Sequence, residues 1–418
     1  MKYVVFSFGC RVNQYEGQAM IDRLIKKGHK ATDKLEFADR YILNTCSVTR
    51  EADKKSRQAV ARCLSINPAA KVYICGCSSQ NSSEPYKLKP NVVSMSGTRG
   101  KMAFLESIMS DIELGDAVSA PARVYENDLT PTLTKTRAYI KIQDGCDNYC
   151  SYCIVPHLRG QSRSRALESI LEEAESLAQR TREIVLCGVN ISAYGRDIGT
   201  SLVALVTALG KVKARKRFGS LECGVITAEL LTAMKKSNFC DSFHLSLQSG
   251  SNEILKLMNR HYTRAEFLAK VRLIRKYFPD AGLTTDIIVG FPGESDQDFN
   301  DTVDLVIRAR FMDMHIFPYS VRPGTIAASM TKVEGRVVRY RSAMLKLLRD
   351  KIHTAFLKEQ YGKISYVYAE EKAGAYAEGL SSNNVRVYVK APVGTFEKFA
   401  LLEPYREGVL GEPVKDMI

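Results

Sequence analysis

Short apolar runs alternate with helical periodicity through the first 120 residues. The strand-like runs are 3–8, 41–44, 72–75 and 92–94. Between the first two, Ala19, Met20, Leu24 and Ile25 recur at helical spacing within 16–27, and a second helix is expected over 52–64. This alternation predicts a parallel α/β sheet whose ligands sit beyond the carboxyl ends of its strands. Prolines and polar residues over 121–135 then break the pattern and read as a linker. A second series follows, with strands expected at 137–143, 183–188, 218–222, 242–247, 282–289 and 313–318. Helices are expected between them at 167–180, 202–212, 227–237, 252–259, 264–277 and 295–309. Six βα units predict a partial (β/α)6 barrel of the TIM type, with function at the C-terminal strand ends.

Beyond the barrel, 332–360 carries Lys332, Arg336, Arg339, Arg341, Lys346, Arg349, Lys351 and Lys358 on a helical pattern, with Met344, Leu347 and Leu348 as its apolar face. From 364 the texture changes to short alternating strands at 364–369, 376–379, 385–389, 399–402 and near Val409. Five such strands predict a small antiparallel β-barrel, OB-like, a shape that commonly binds oligonucleotides. The fold class is therefore α/β with five segments: 1–120, an α/β sheet domain; 121–135, a linker; 136–331, the partial barrel; 332–360, a basic connecting helix; and 361–418, the small barrel.

At 418 residues with 45% hydrophobic content, two or three packed domains are expected. No apolar run reaches membrane-spanning length, and the amino terminus reads as a first strand rather than a leader. A cytoplasmic setting follows, in which cysteines more often serve metals or catalysis than disulfides. The net charge of +14 fits either a solvated basic surface or a polyanionic partner such as RNA.

The 11 cysteines change the picture most. Residues 145–156 read Gly-Cys-Asp-Asn-Tyr-Cys-Ser-Tyr-Cys-Ile-Val-Pro, placing Cys146, Cys150 and Cys153 in a C-x3-C-x2-C spacing with Tyr152 before the last. Three such thiolates can hold three corners of a [4Fe–4S] cluster and leave one iron open to an exogenous ligand. The alternatives are a zinc site, which would want a fourth nearby ligand, or buried structural thiols. Cys10, Cys46 and Cys77 each follow a predicted strand of the first sheet. They are either thiols packed at strand ends or three ligands gathered at one sheet edge, and spacing alone leaves both open. Cys63 and Cys75 fall within apolar patterns and read as core.

Taken together, these motifs resemble the methylthiotransferases of the radical S-adenosylmethionine (SAM) superfamily along the whole chain. The residues that carry the resemblance are Gly9-Cys10-Arg11-Val12-Asn13-Gln14-Tyr15-Glu16, Asn44-Thr45-Cys46-Ser47-Val48-Thr49, Gly76-Cys77-Ser78-Ser79-Gln80 and the Cys146 motif. Leu186-Cys187-Gly188-Val189-Asn190, Gln248-Ser249-Gly250-Ser251 and the stretch from Asp286 through Gly290-Phe291-Pro292-Gly293-Glu294 complete the set. The resemblance implies that the small barrel is a TRAM domain. Of the family's three branches, which act on isopentenyladenosine in tRNA, threonylcarbamoyladenosine in tRNA and an aspartate of a ribosomal protein, the chain looks most like the second. The discriminating residues are those from Val12 to Glu16, with Ser246 and Ser249 where the other branches carry proline or histidine. Arg11 stands where relatives commonly have lysine, and Thr181 where they have glycine.

The resemblance implies that Cys146, Cys150 and Cys153 hold a [4Fe–4S] cluster that cleaves SAM to methionine and a 5′-deoxyadenosyl radical. It implies that Cys10, Cys46 and Cys77 hold an auxiliary [4Fe–4S] cluster carrying the sulfur to be transferred. The product is a 2-methylthio base at the adenosine just 3′ of the anticodon, position 37. Tyr152, Gly188, Val189, Asn190, Glu222 and Gln248 are the expected SAM contacts, with Asp286 and Glu294 as further candidates at strand ends. Cys187, Cys223 and Cys240 are left as packing residues. Expected partners are a tRNA bearing threonylcarbamoyladenosine, bound through the basic helix and the TRAM strands, and an electron donor such as flavodoxin or ferredoxin; a monomer with no membrane association is expected. The alternatives are isopentenyladenosine as substrate and a non-catalytic RNA-binding protein with structural clusters.

Overall fold

A computed structural model describes residues 1–127, 130–131 and 136–414. Within the predicted linker, 128–129 and 132–135 lie outside the described residues.

The first sheet has six parallel strands: β1 (Lys2–Ser7), β2 (Lys30–Thr32), β3 (Arg40–Thr45), β4 (Lys71–Gly76), β5 (Val92–Met95) and β6 (Gly115–Asp116), in the order β2-β1-β3-β4-β5-β6. Strand alternation sends successive side chains to opposite faces, and both faces are covered. Tyr3, Val5, Ile42, Tyr73 and Cys75 pack on Ala19, Met20 and Leu24 of helix Arg11–Lys26 and on Phe104, Leu105 and Ile108. Val4, Tyr41, Leu43, Val72 and Ile74 pack on Ala59, Val60 and Cys63 of helix Arg50–Ile66. Cys63 and Cys75 are core residues, as expected. Helix Arg11–Lys26 starts five residues before the expected one because its first turns bury polar groups, Asn13 and Glu16 among them, which periodicity does not register.

The central region contains β7 (Ala138–Asp144), β8 (Arg163–Ser164), β9 (Glu183–Gly188), β10 (Arg215–Phe218), β11 (Ser220–Leu221), β12 (Ser242–Gln248), β13 (Gly282–Val289) and β14 (Asp313–Pro318). They form two four-stranded sheets, β10-β9-β7-β8 and β11-β12-β13-β14, curled into an open barrel. The third expected strand, 218–222, is corrected: it starts at Arg215 and divides at Gly219 between the two sheets. Arg215, Lys216 and Arg217 are all buried, so this strand carries charges where the pattern calls for apolar residues.

The two arginines of β10 share one carboxylate at the junction with the last domain. Arg217 Nε lies 3.2 Å from Glu183 Oε1, and Arg215 also pairs with Glu183. Arg215 and Arg217 donate onward to the carbonyls of Tyr366, Leu380 and Ser381. That domain comprises β15 (Ile364–Ala373), β16 (Tyr376–Ser381), β17 (Arg386–Val389), β18 (Phe396–Tyr405) and β19 (Gly408–Pro413), closed in the order β15-β16-β17-β19-β18. Every pairing is antiparallel except β17 with β19, which is parallel and refines the expected topology.

Helix Gly335–Lys358 lies along β13 and β14. Its buried face carries Val338, Leu345, Leu348 and Ile352; Met344 and Leu347 point outward, correcting two of the three expected apolar contacts. Arg341 is likewise buried, 2.6 Å from Glu294 Oε2, and is not part of a basic surface. Among the described residues no helix is long and apolar enough to cross a membrane.

Candidate active site

The loop after β7 is fixed by its own backbone. Gly145 adopts φ +72°, and a Cβ there would overlap the Gln161 carbonyl. Only glycine meets both demands comfortably. Cys146 N–H donates to Gly160 O at 3.0 Å and Cys153 N–H to Cys150 O at 2.9 Å. Ser151 N–H donates to Met258 O at 3.1 Å and its hydroxyl to Leu257 O at 2.7 Å, fastening the loop to helix Asn252–Leu257.

Two polar donors point at the thiols: Asn190 Nδ2 stands 3.7 Å from Cys146 Sγ, and Arg260 Nη1 stands 3.6 Å from Cys150 Sγ. Burial pushes the Cys153 thiol up to about 12 and raises that of Cys146, and a bound cation would favour both thiolates. A soft three-sulfur donor set with hydrogen-bond donors aimed at sulfur suits an iron–sulfur cluster.

The expected SAM contacts gather around this loop. Gly188 ends β9, where a Cβ would press to 3.1 Å on Gln143; Val189 and Asn190 follow, half-buried. Glu222 follows β11 and accepts from Asn148 Nδ2 at 2.5 Å and Arg260 Nη1 at 2.9 Å, tying it to the cysteine loop. Gln248 ends β12 with φ +67°, where the register with β13 shifts. Tyr152 packs edge-on against Phe291, with ring centroids 6.5 Å apart, beside Ile254 and Met258. Glu294 is committed to Gly290 N–H and Arg341, and Asp286 to two histidines described below. Both carboxylates thus already have partners within the protein.

Cys10, Cys46 and Cys77 come together by strand register. β1, β3 and β4 are neighbours, with Ser7 opposite Asn44 and Thr45 opposite Gly76, so all three cysteines emerge at one edge. A Cβ at Gly9 would overlap Cys46 Sγ. Asn13 Nδ2 donates to Phe8 O at 2.9 Å and Thr45 O at 2.8 Å, clamping the loops before Cys10 and Cys46. Burial pushes the Cys46 thiol up to about 12 and raises Cys77, an effect the nearby Arg159 charge opposes.

Arg159 belongs to a buried charge cluster that the sequence does not announce. Its guanidinium meets Glu16 at 3.1 Å, Asp144 at 3.0 Å and Asn13 Oδ1 at 2.7 Å. Lys101 and Lys141 also bind Glu16, the latter at 2.8 Å, while Lys141 and Arg163 bind Asp144 at 2.7 and 3.1 Å. Burial opposes the charge on Glu16, but Arg159, Lys101 and Lys141 outweigh it and hold the carboxyl well below its usual range. The cluster joins helix Arg11–Lys26 to β7, and it sets Arg159, six residues past Cys153, against Cys77. Glu16 lies within a quoted motif, but neither it nor Arg159 or Arg260 carries a periodic or spacing signal.

Beside Cys10 the barrel lumen holds a cavity of about 410 Å³. Cys10, Arg11 and Cys187 line one end, Arg217 and Asn384 reach it from the junction with the last domain, and His244, Asp286 and His315 form its wall.

Residues 140–306 match the radical SAM superfamily, and 2–97 match an uncharacterized protein family, UPF0004. The chain is 33% identical over 437 aligned positions to the threonylcarbamoyladenosine tRNA methylthiotransferase MtaB of Bacillus subtilis, covering 99% of this chain and 97% of that protein. It is 37% identical to the protein of the same name from Thermotoga maritima, covering 97% and 95%. It is also 34% identical to the tRNA-2-methylthio-N(6)-dimethylallyladenosine synthase of Pelotomaculum thermopropionicum, covering 92% and 91%. Among solved structures, the radical SAM methyltransferase TsrM of Kitasatospora setae shares the fold with a TM-score of 0.57 and 12% identity, over 78% of this chain and 77% of that one. The chain belongs to the tRNA methylthiotransferase family of radical SAM enzymes. Its cofactors are accordingly SAM and [4Fe–4S] clusters, two in these methylthiotransferases.

Proposed function

We propose that this enzyme transfers a methylthio group to C2 of N6-threonylcarbamoyladenosine at position 37 of tRNA. The observation that carries this reading is the presence of two three-cysteine sets, one within a single loop and one gathered at a sheet edge, in a chain covered almost end to end by relatives of that name. Cys146, Cys150 and Cys153 hold the SAM-cleaving cluster, and Cys10, Cys46 and Cys77 hold the auxiliary one. When bound, the two clusters supply reductive SAM cleavage and a carried sulfur. The protein's own part is positioning: Asn190 and Arg260 steady the loop sulfurs, while Gly188, Val189, Glu222, Gln248 and Tyr152 shape the SAM side. Asn13 and Arg159 fix the opposite thiols.

The tRNA enters from the last domain. Its surface interleaves cations with aromatic rings: Lys398 over Tyr366, Lys390 over Tyr376, and Arg406 over Tyr388 and Tyr405. Such faces suit unstacked loop bases and phosphates. The enzyme acts as a cytoplasmic monomer with a flavodoxin- or ferredoxin-type electron donor. The test is anaerobic turnover of reconstituted enzyme with SAM, dithionite and tRNA bearing threonylcarbamoyladenosine. The expected products are 5′-deoxyadenosine and the 2-methylthio nucleoside; product only from isopentenyladenosine tRNA would favour the dimethylallyl relatives instead, which match at similar identity.

A further inference from the structure

The threonylcarbamoyl group differs from an isopentenyl group chiefly by a carboxylate, and a buried carboxylate needs a cationic or multiply donating partner. Four cationic or potentially cationic side chains line the lumen: Arg11, Arg217, His244 and His315. Two are already engaged. Arg217 binds Glu183 at 3.2 Å, Ser381 O at 3.1 Å and Asn384 Oδ1 at 3.2 Å. His244 places Nε2 3.1 Å from Asp286 Oδ2 and Nδ1 2.9 Å from Thr284 Oγ1, so both its nitrogens are occupied.

The remaining two are open. Arg11 makes no hydrogen bond or ion pair among the described residues, although its guanidinium reaches into the lumen, with Nη1 3.7 Å from where a Cβ on Gly219 would stand. His315 lines the cavity with its side chain 60% exposed, and puts Nδ1 2.9 Å from Asp286 Oδ1 while Nε2 makes no hydrogen bond among the described residues. The two acids of the lining do not compete for Arg11: Asp286 is bracketed by the two histidines, and Asp313 accepts from Met314 N–H at 2.8 Å.

We propose that Arg11 is the residue that reads the threonyl carboxylate, with His315 Nε2 as its second contact. The assignment rests on the threonylcarbamoyladenosine reading above. In adenine, C2 and C6 flank N1 on one edge, so a base presenting C2 toward the cluster that Cys10, Cys46 and Cys77 would hold carries its N6 substituent along the same wall. Arg11 is the next residue on that wall. A planar guanidinium grips a carboxylate bidentately, and an isopentenyl group would give it no partner.

The test compares wild-type and Arg11→Gln holoenzymes on two anticodon stem-loops, one bearing threonylcarbamoyladenosine and one bearing its methyl ester. The readouts are Kd and kcat/KM, with iron and sulfide content recorded for each protein. Wild type is expected to prefer the acid on the order of 10- to 100-fold in both readouts. Arg11→Gln should lose that preference while treating the ester like wild type, Arg11→Lys should regain part of it, and His315→Gln should reduce it several-fold. Equal treatment of acid and ester by wild type would overturn the assignment. So would an acid preference that survives Arg11→Gln. If wild type methylthiolates neither RNA but does act on an isopentenyladenosine stem-loop, the substrate reading itself falls, and the Arg11 assignment with it.

Discussion

The two three-cysteine sites are built in opposite ways. Cys146, Cys150 and Cys153 sit within one loop whose shape comes from Gly145, local backbone hydrogen bonds and two anchors on helix Asn252–Leu257. Cys10, Cys46 and Cys77 are far apart in the chain, and three neighbouring parallel strands deliver them to one edge. The first site is encoded by spacing and the second by register, so damage elsewhere in the fold should reach the second first. Arg159 makes that dependence concrete: it follows the first site in sequence but its charge acts on Cys77 of the second.

The largest expected effects separate the two sites chemically. Cys146→Ala should abolish SAM cleavage and all product. Cys10→Ala, Cys46→Ala or Cys77→Ala should each abolish methylthio product while 5′-deoxyadenosine still forms, with iron content falling by about half. Cleavage persisting in Cys146→Ala, or product persisting in any of the other three, would show that the roles are misassigned.

A change at neither site tests the register argument. Glu16→Leu strips Lys101, Lys141 and Arg159 of a shared buried carboxylate, at a cost of about 3–5 kcal/mol. Chemical denaturation should show that loss, and iron should leave the dispersed site while the loop site keeps its SAM cleavage. Equal loss from both sites would refute the contrast. Arg260→Met touches only the loop site, where it removes the donor at Cys150 and the partner of Glu222. Cleavage should slow about tenfold, with the dispersed cluster's electron paramagnetic resonance signal unchanged. Smallest of all, Lys398→Gln should weaken tRNA binding only a few-fold and reduce its salt dependence, leaving both clusters intact. A large loss of iron in this variant would mean that the last domain supports the clusters.

The same contrast explains what could be read from the chain. Cys146, Cys150 and Cys153 are legible because the chemistry is written in consecutive residues, and most strands are legible because their apolar runs are. The gathering of Cys10, Cys46 and Cys77 follows from strand order, so spacing left it open and only the family motifs suggested it. Buried charge is what pattern reading misses. β10 hides Arg215, Lys216 and Arg217 in the interior, and helix Arg11–Lys26 opens with buried Asn13 and Glu16. Arg341 reads as one more surface cation and is instead locked to Glu294. Each of these becomes reasonable only when its partner, distant in sequence, is brought alongside.

The most direct measurement is mass spectrometry of tRNA nucleosides from cells with and without this gene. The expected result is that 2-methylthio-N6-threonylcarbamoyladenosine is present only with the gene, its unmethylthiolated precursor accumulating without it. Loss of the 2-methylthio-isopentenyl nucleoside instead, or no change in either, would contradict the account.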